Sequence, residues 1–288
     1  MTGSRRVTLQ LGELALAFDA RCDAPRIPVA EAYLPFVTSR SPDFTFRIHK
    51  GRAPFLELGR AHFDSGVNWA LHIVDGKPVI RIWTLRSDPH QIVVLEPDYE
   101  GGDIYCVGDQ WQEQRLSPLG SPLEQLLMVN LLGQERGVLL HASAVIDGGE
   151  GILFNGMSGA GKSTMAGLWE GREWVTVLSD DRVIVREHHG RFWAYGTPWH
   201  GSARISAPEA VPLERIFLIH HAEGNTITRL GPTQAVSQVL ARSFPPLWDA
   251  ESTAFTLAFL ERLVEAVPCH RLGFAPDESA VDFVRCVS

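Results

Sequence analysis

Cysteine is scarce in this chain. Four occur in 288 residues, Cys22, Cys106, Cys269 and Cys286, scattered and never in a CxxC spacing. Zinc and thiol-redox motifs are therefore unsupported, and reduced thiols in a cytoplasmic protein are the expectation. Positive charge is in deficit too: 26 Lys and Arg against 34 Asp and Glu give a formal net charge of −8. That balance argues against a general nucleic-acid binder or membrane-surface protein. No apolar run approaches the length of a membrane span. Arg5 and Arg6 stand before an apolar stretch, but Glu13 and Asp19 interrupt it and no small-residue cleavage site stands out, so no secretory leader is read. Internal repeats, low-complexity tracts and long linkers are missing as well. What is there, 45% hydrophobic and 21% charged residues, is an ordinary globular composition with ample material for a core.

The length suggests one large domain or two modest ones. Residues 1–120 read as a β-rich region of unassigned role. Val7–Leu11 and Phe44–Ile48 alternate apolar and polar residues, and Trp69–Val74, Val79–Trp83 and Gln91–Leu95 continue the pattern, with a turn at Asp75-Gly76-Lys77-Pro78. His62, His72 and His90 are dispersed there and read as surface or structural. Trp69, Trp83 and Trp111 form a candidate binding face, with sheet packing the competing explanation. Residues 121–288 read as the second domain. A mostly buried helix over 122–135 leads into a strand over Val138–Ile146. The turn Asp147-Gly148-Gly149-Glu150 then returns the chain through the apolar run Gly151–Asn155.

That run ends in Gly156-Met157-Ser158-Gly159-Ala160-Gly161-Lys162-Ser163, a full G-x-x-x-x-G-K-[ST] match, followed by Thr164 and a helical composition to about Trp169. Strand, glycine loop and helix in that order are the context the motif requires. Three glycines let successive backbone N–H groups curl around a polyphosphate, and the helix start adds unpaired donors and a positive dipole end. Lys162 can reach the β- and γ-phosphates of ATP, and the Ser163 hydroxyl can take a position on Mg²⁺. Because a tight hairpin delivers the loop, the sheet is expected to be mixed and partly antiparallel, within an α/β fold.

Trp174–Leu178 is the next strand, and it ends in Ser179-Asp180-Asp181, 18 and 19 residues past Lys162 for the two carboxylates. Adjacent side chains on an extended backbone point to opposite sides, so the pair can divide its tasks. One can hold Mg²⁺ as a Walker-B-type aspartate does, and the other can receive a proton from a hydroxyl. His141 sits on the strand that hairpins into the loop, where it can orient or polarise an aspartate; a core histidine is the even alternative.

Leu140-His141 with its hairpin, Gly156-x-Ser158-Gly159-x-Gly161-Lys162-Ser163, and Leu178-Ser179-Asp180-Asp181-x-Val183 together resemble the catalytic domain of bacterial HPr serine kinase/phosphorylase. That domain belongs with the phosphoenolpyruvate-carboxykinase-like P-loop folds. The resemblance covers roughly residues 136–200 well and the rest to 288 loosely. It implies that Lys162 and Ser163 handle phosphate and Mg²⁺, that Asp181 takes the hydroxyl proton with Asp180 on the metal side, and that His141 supports them. The amino-terminal half departs from the family, and its later glutamate ligand and arginine-bearing segment are not found. Gly196-Thr197-Pro198-Trp199-His200-Gly201 in that region looks more like the HPr-kinase-related proteins of peptide-modification clusters, including the lasso-peptide kinases. His200, Arg204 and Arg229 are minor candidates for charge near an acceptor.

The resemblance implies an ATP- and Mg²⁺-dependent kinase acting on a hydroxyl, most naturally serine in a peptide or protein. A kinase of free serine and a non-catalytic ATP-binding module are the alternatives. Carboxykinase-like chemistry ranks below them for want of a second metal site. A homo-oligomer is left open.

Overall fold

The computed structural model of the chain describes residues 4–22, 24, 26–51, 53, 57–84, 89–108 and 119–287. Trp111 lies outside the described residues. The chain divides into two compact units, Met1–Leu131 and Leu132–Ser288. The division falls within α1 (Leu123–Gly133), a helix apolar on nearly every side. Among the described residues no helix is long and apolar enough to cross a membrane.

The first unit is built on one eight-stranded sheet. Its strands are β1 (Arg6–Leu11), β2 (Leu14–Ala20), β3 (Phe44–Lys50), β4 (Phe63–Asp64), β5 (Trp69–Val74), β6 (Lys77–Ile82), β7 (Gln91–Leu95) and β8 (Gly101–Cys106), in the order β1-β2-β3-β8-β7-β6-β5-β4. β3 shows why alternation makes a strand: Phe44, Phe46 and Ile48 are buried while Arg47 between them is exposed. Phe46 stacks on Phe18 of β2 at 5.5 Å between ring centroids. The dispersed histidines and tryptophans have structural partners. His72 Nδ1 lies 2.9 Å from the Leu58 carbonyl, Trp69 stacks on Phe63 at 5.2 Å, and Trp83 Nε1–H donates to the Val67 carbonyl (3.1 Å).

The second unit is a mixed α/β fold, as the hairpin delivery of the loop implies. Its strands are β9 (Val138–Asp147), β10 (Glu150–Asn155), β11 (Val175–Ser179), β12 (Arg182–His188), β13 (Arg191–Tyr195), β14 (Ala210–His221), β15 (Thr226–Arg229) and β16 (Cys269–Phe274). β9 and β10 form the antiparallel hairpin with Asp147 opposite Glu150. On its other edge β10 pairs with β14 in parallel, and β14 pairs with β16 in parallel. The amino-terminal half of β9 pairs with β12, β12 with β13, and β13 with the start of β14, so the pairings close into a ring.

Helices cover both faces. Ile152 and Phe154 of β10 pack with Phe217 against α2 (Lys162–Trp169) and α5 (Ser279–Arg285); Leu153 packs with Ile216 and Leu218 against α3 (Pro232–Leu240) and α4 (Ala250–Ala266). The period of two thus feeds two apolar cores from one strand. Trp169 anchors α2: it is fully buried against Phe154, and losing its ring would cost ~3–5 kcal/mol.

Candidate functional site

β10 is buried from Gly151 to Asn155, and the chain leaves it at Gly156 to wrap the start of α2. The Ala160 N–H donates to the Met157 carbonyl (3.0 Å), and the Met165 N–H to the Gly161 carbonyl (2.8 Å). Gly161 is the cap of α2, with φ 95° and ψ 21°. A β-carbon there would lie 2.6 Å from Phe274 and 2.7 Å from His221, so both backbone conformation and packing demand glycine. No side chain caps the first-turn amides of α2, the arrangement in which a helix start can accept an anion. Met157, Ser158, Gly159 and Thr164 are exposed along this loop.

Lys162 is 6% exposed. Its Nζ donates to the carbonyls of Gly156 (2.9 Å) and Met157 (3.1 Å), so the side chain curls back over its own loop. Burial lowers its pKa; Asp181 opposes that shift, and the charges of Arg182 and Arg242 add to it. One carboxylate and two guanidiniums therefore act on this ammonium.

The Asp pair diverges. Asp180 is fully buried, and its two oxygens accept the N–H groups of Gly201 (2.7 Å) and Ala203 (2.9 Å). It straps the 196–203 segment against the phosphate loop. A β-carbon on Gly201 would lie 2.8 Å from Asp180 Oδ2, 3.2 Å from Asp181 Cβ and 3.3 Å from Ser163 Oγ, which puts the four residues in one place. Asp181 turns elsewhere. His141 Nε2 lies 3.0 Å from its Oδ1, and Arg182 Nη1 donates to its Oδ2. Burial raises the Asp181 pKa, but the His141 hydrogen bond and the charges of Arg182, His141 and Lys162 outweigh it and hold the group ionised.

His141 is placed by β9. It sits opposite Arg182 in the β9–β12 register, its N–H donates to the Arg242 carbonyl (2.8 Å), and its own carbonyl accepts Asn155 Nδ2 (3.2 Å). The Phe244 N–H donates to Leu139 O (3.0 Å), so the segment after α3 is laced to the same strand. The Arg182 guanidinium lies over the Phe244 ring at 4.5 Å, and Arg242 Nη1 donates to Gln238 O (2.6 Å). Burial lowers the pKa of both arginines, and the Nε of each is buried with no partner among the described residues. Sequence reasoning missed both. Arg182 directly follows the Asp pair and could have been weighed with it; Arg242 has no motif and reaches the site only through the β9 lacing. His200 and Arg204 are exposed, and Arg229 acts on His270 instead.

Among the described residues no three His, Cys, Asp or Glu side chains gather as a metal cage. The donor set near Ser163 fits Mg²⁺, which keeps several waters and takes phosphate oxygens rather than a full protein shell. Ser163 and the neighbouring carboxylates are the groups that would hold it.

A search of the curated proteins gives no match for this chain. Residues 121–262, which include the loop, His141, the Asp pair, Arg182, Gly201 and Arg242, match the family described as ScmC: SynChlorMet cassette protein ScmC. This corrects the identification with the HPr kinases and their phosphoenolpyruvate-carboxykinase-like fold. The serine-kinase function, the phosphotransferase class and the peptide-modification vocabulary that followed from it are corrected too. The physical reason is that a glycine loop, a strand-end Asp pair and a hairpin are devices for handling phosphate, and unrelated families share such devices. Over those residues the chain is similar to a SynChlorMet cassette protein.

Proposed function

We infer that the second unit is a nucleotide-binding component of a biosynthetic cassette of the kind named by the family match, taking the polyphosphate of ATP together with Mg²⁺. The observation that carries this reading is uncompensated charge. Lys162 and Arg182 both act on one carboxylate, Asp181, and Arg242 adds its charge at Lys162, while Asp180 is committed to two backbone amides. Buried cations that outnumber the carboxylates facing them are costly, and a polyanion removes that cost. The α2 amides and the left-handed Gly161 support the same ligand. On binding, Lys162 Nζ would exchange its two carbonyls for phosphate oxygens. Ser163 and a water-bridged Asp would steady the metal.

Calorimetric titration of the full chain with Mg-ATP tests this. The wild type should bind saturably, and Lys162→Ala should lose at least about tenfold in affinity, the loss of one charge-assisted contact. Absence of binding by ATP and by inorganic tripolyphosphate alike would overturn the reading.

A further inference from the structure

The phosphate loop leaves β10 between two unlike flanks. On the β9 flank stand the charged groups: His141, Asp181, Arg182 and, laced to β9, Arg242. On the β14 flank stand rings. β10 ends at Asn155, opposite Leu218, but β14 runs three residues further to His221, and β16 keeps pace to Phe274, its partner in the register. The overshoot forms a wall along the loop. Ile219 meets Gly156, and His221 and Phe274 meet Gly161. The His221 ring packs on Phe274 with centroids 5.1 Å apart and planes 33° apart. Phe274 is fully buried, whereas His221 is exposed. β10, β14 and β16 are parallel, and ligands of such sheets settle outside the carboxyl ends of the strands.

A nucleotide has the same polarity, with charge at one end and an aromatic ring at the other. We propose that His221, backed by Phe274, is the platform on which the nucleobase stacks, with the phosphates running toward Lys162 and Arg182. This rests on the nucleotide reading of the loop and orients the ligand within it. An aromatic ring supported from behind by a buried one keeps its face fixed, and stacking of a base on such a face tolerates any base because each has a π-face.

The test compares two probes on the full chain, Mg-ATP and Mg-tripolyphosphate, with thermal melting of each variant by circular dichroism as a check on folding. The wild type should bind ATP more tightly than tripolyphosphate. His221→Ala should weaken ATP by roughly tenfold, the low end of what one stacked base contributes, and leave tripolyphosphate within about twofold. His221→Phe should restore ATP binding. Equal weakening of both probes would make His221 a prop of the loop and overturn the proposal, as would a His221→Ala variant that binds ATP normally. A wild type that binds tripolyphosphate but holds ATP no tighter overturns the platform alone. One that binds neither overturns the loop reading and this proposal with it.

Discussion

The two units each contain an aspartate held between an arginine and a histidine, and the two triplets behave differently. In the first unit Asp103 accepts two hydrogen bonds from Arg47 (2.9 and 2.8 Å), and His49 Nε2 lies 2.6 Å from Asp103 Oδ1. Arg47 is exposed, and its hydrogen bond to Asp103 raises its pKa despite some burial. In the second unit Asp181 has the same two kinds of partner, but Arg182 is half-buried, its pKa is lowered, Lys162 also acts on the carboxylate, and Arg242 acts on Lys162. One arginine against one carboxylate closes its own account electrostatically. Three cations against one do not. The difference teaches that the kinds of residue in a cluster say little; burial and charge left over decide whether it awaits a ligand.

The largest effect is expected at Asp180, whose two oxygens each accept a backbone amide of the 201–203 segment. Asp180→Ala would strand the Gly201 and Ala203 amides and should cost roughly 2–5 kcal/mol in urea unfolding, since each lost bond to a charged acceptor is worth a few kcal/mol. A loss below about 0.5 kcal/mol, the noise of surface substitutions, would mean the strap is not structural.

Next comes a pair of matched substitutions. Arg242→Met should leave the ligand-free melting temperature unchanged or higher, because it removes a half-buried charge that repels Lys162, while reducing Mg-ATP affinity about tenfold or more. Arg47→Met should do the reverse: a stability loss of about 0.2–1 kcal/mol, as for exposed ion pairs, with affinity untouched. Similar behaviour of the two variants would erase the distinction between the clusters.

The smallest effect is in acid. Both Asp181 and Asp103 are held below the ordinary 3.8, so the unfolded chain takes up protons before the folded one does. Each therefore contributes stability that is complete above that value and fades as the pH falls through the lower, folded value. Asp181→Asn and Asp103→Asn should each flatten the fall in stability between neutral and acidic pH. An unaltered acid limb in Asp181→Asn would mean that its bonds to His141 and Arg182 carry no net energy.

Local chemistry made part of this molecule legible from its residues alone. The loop, the hairpin into it and the Asp pair have fixed spacings, and the structure puts them where strand, turn and helix signals place them. β2 escaped because Leu14–Phe18 are buried throughout, which removes the alternation that marks a half-buried strand. β8 escaped because it opens with two glycines. Beyond the metal-side place that the sequence suggests for Asp180, both its oxygens accept loop amides, a tie spanning more than twenty residues that spacing does not reveal. Arg242 and Phe244 reach His141 only because the chain after α3 runs back along β9. Family was the least legible feature, since a glycine loop, a hairpin and an Asp pair recur in unrelated families.

The central claim, that the buried cations and loop amides together grip a polyphosphate, is tested most directly by ³¹P magnetic resonance of Mg-ATP titrated with the protein. The account predicts that the β- and γ-phosphate signals shift or broaden with the wild type and stay at their free positions with Lys162→Ala. Phosphate signals unmoved by the wild type, or moved equally by both proteins, would contradict it.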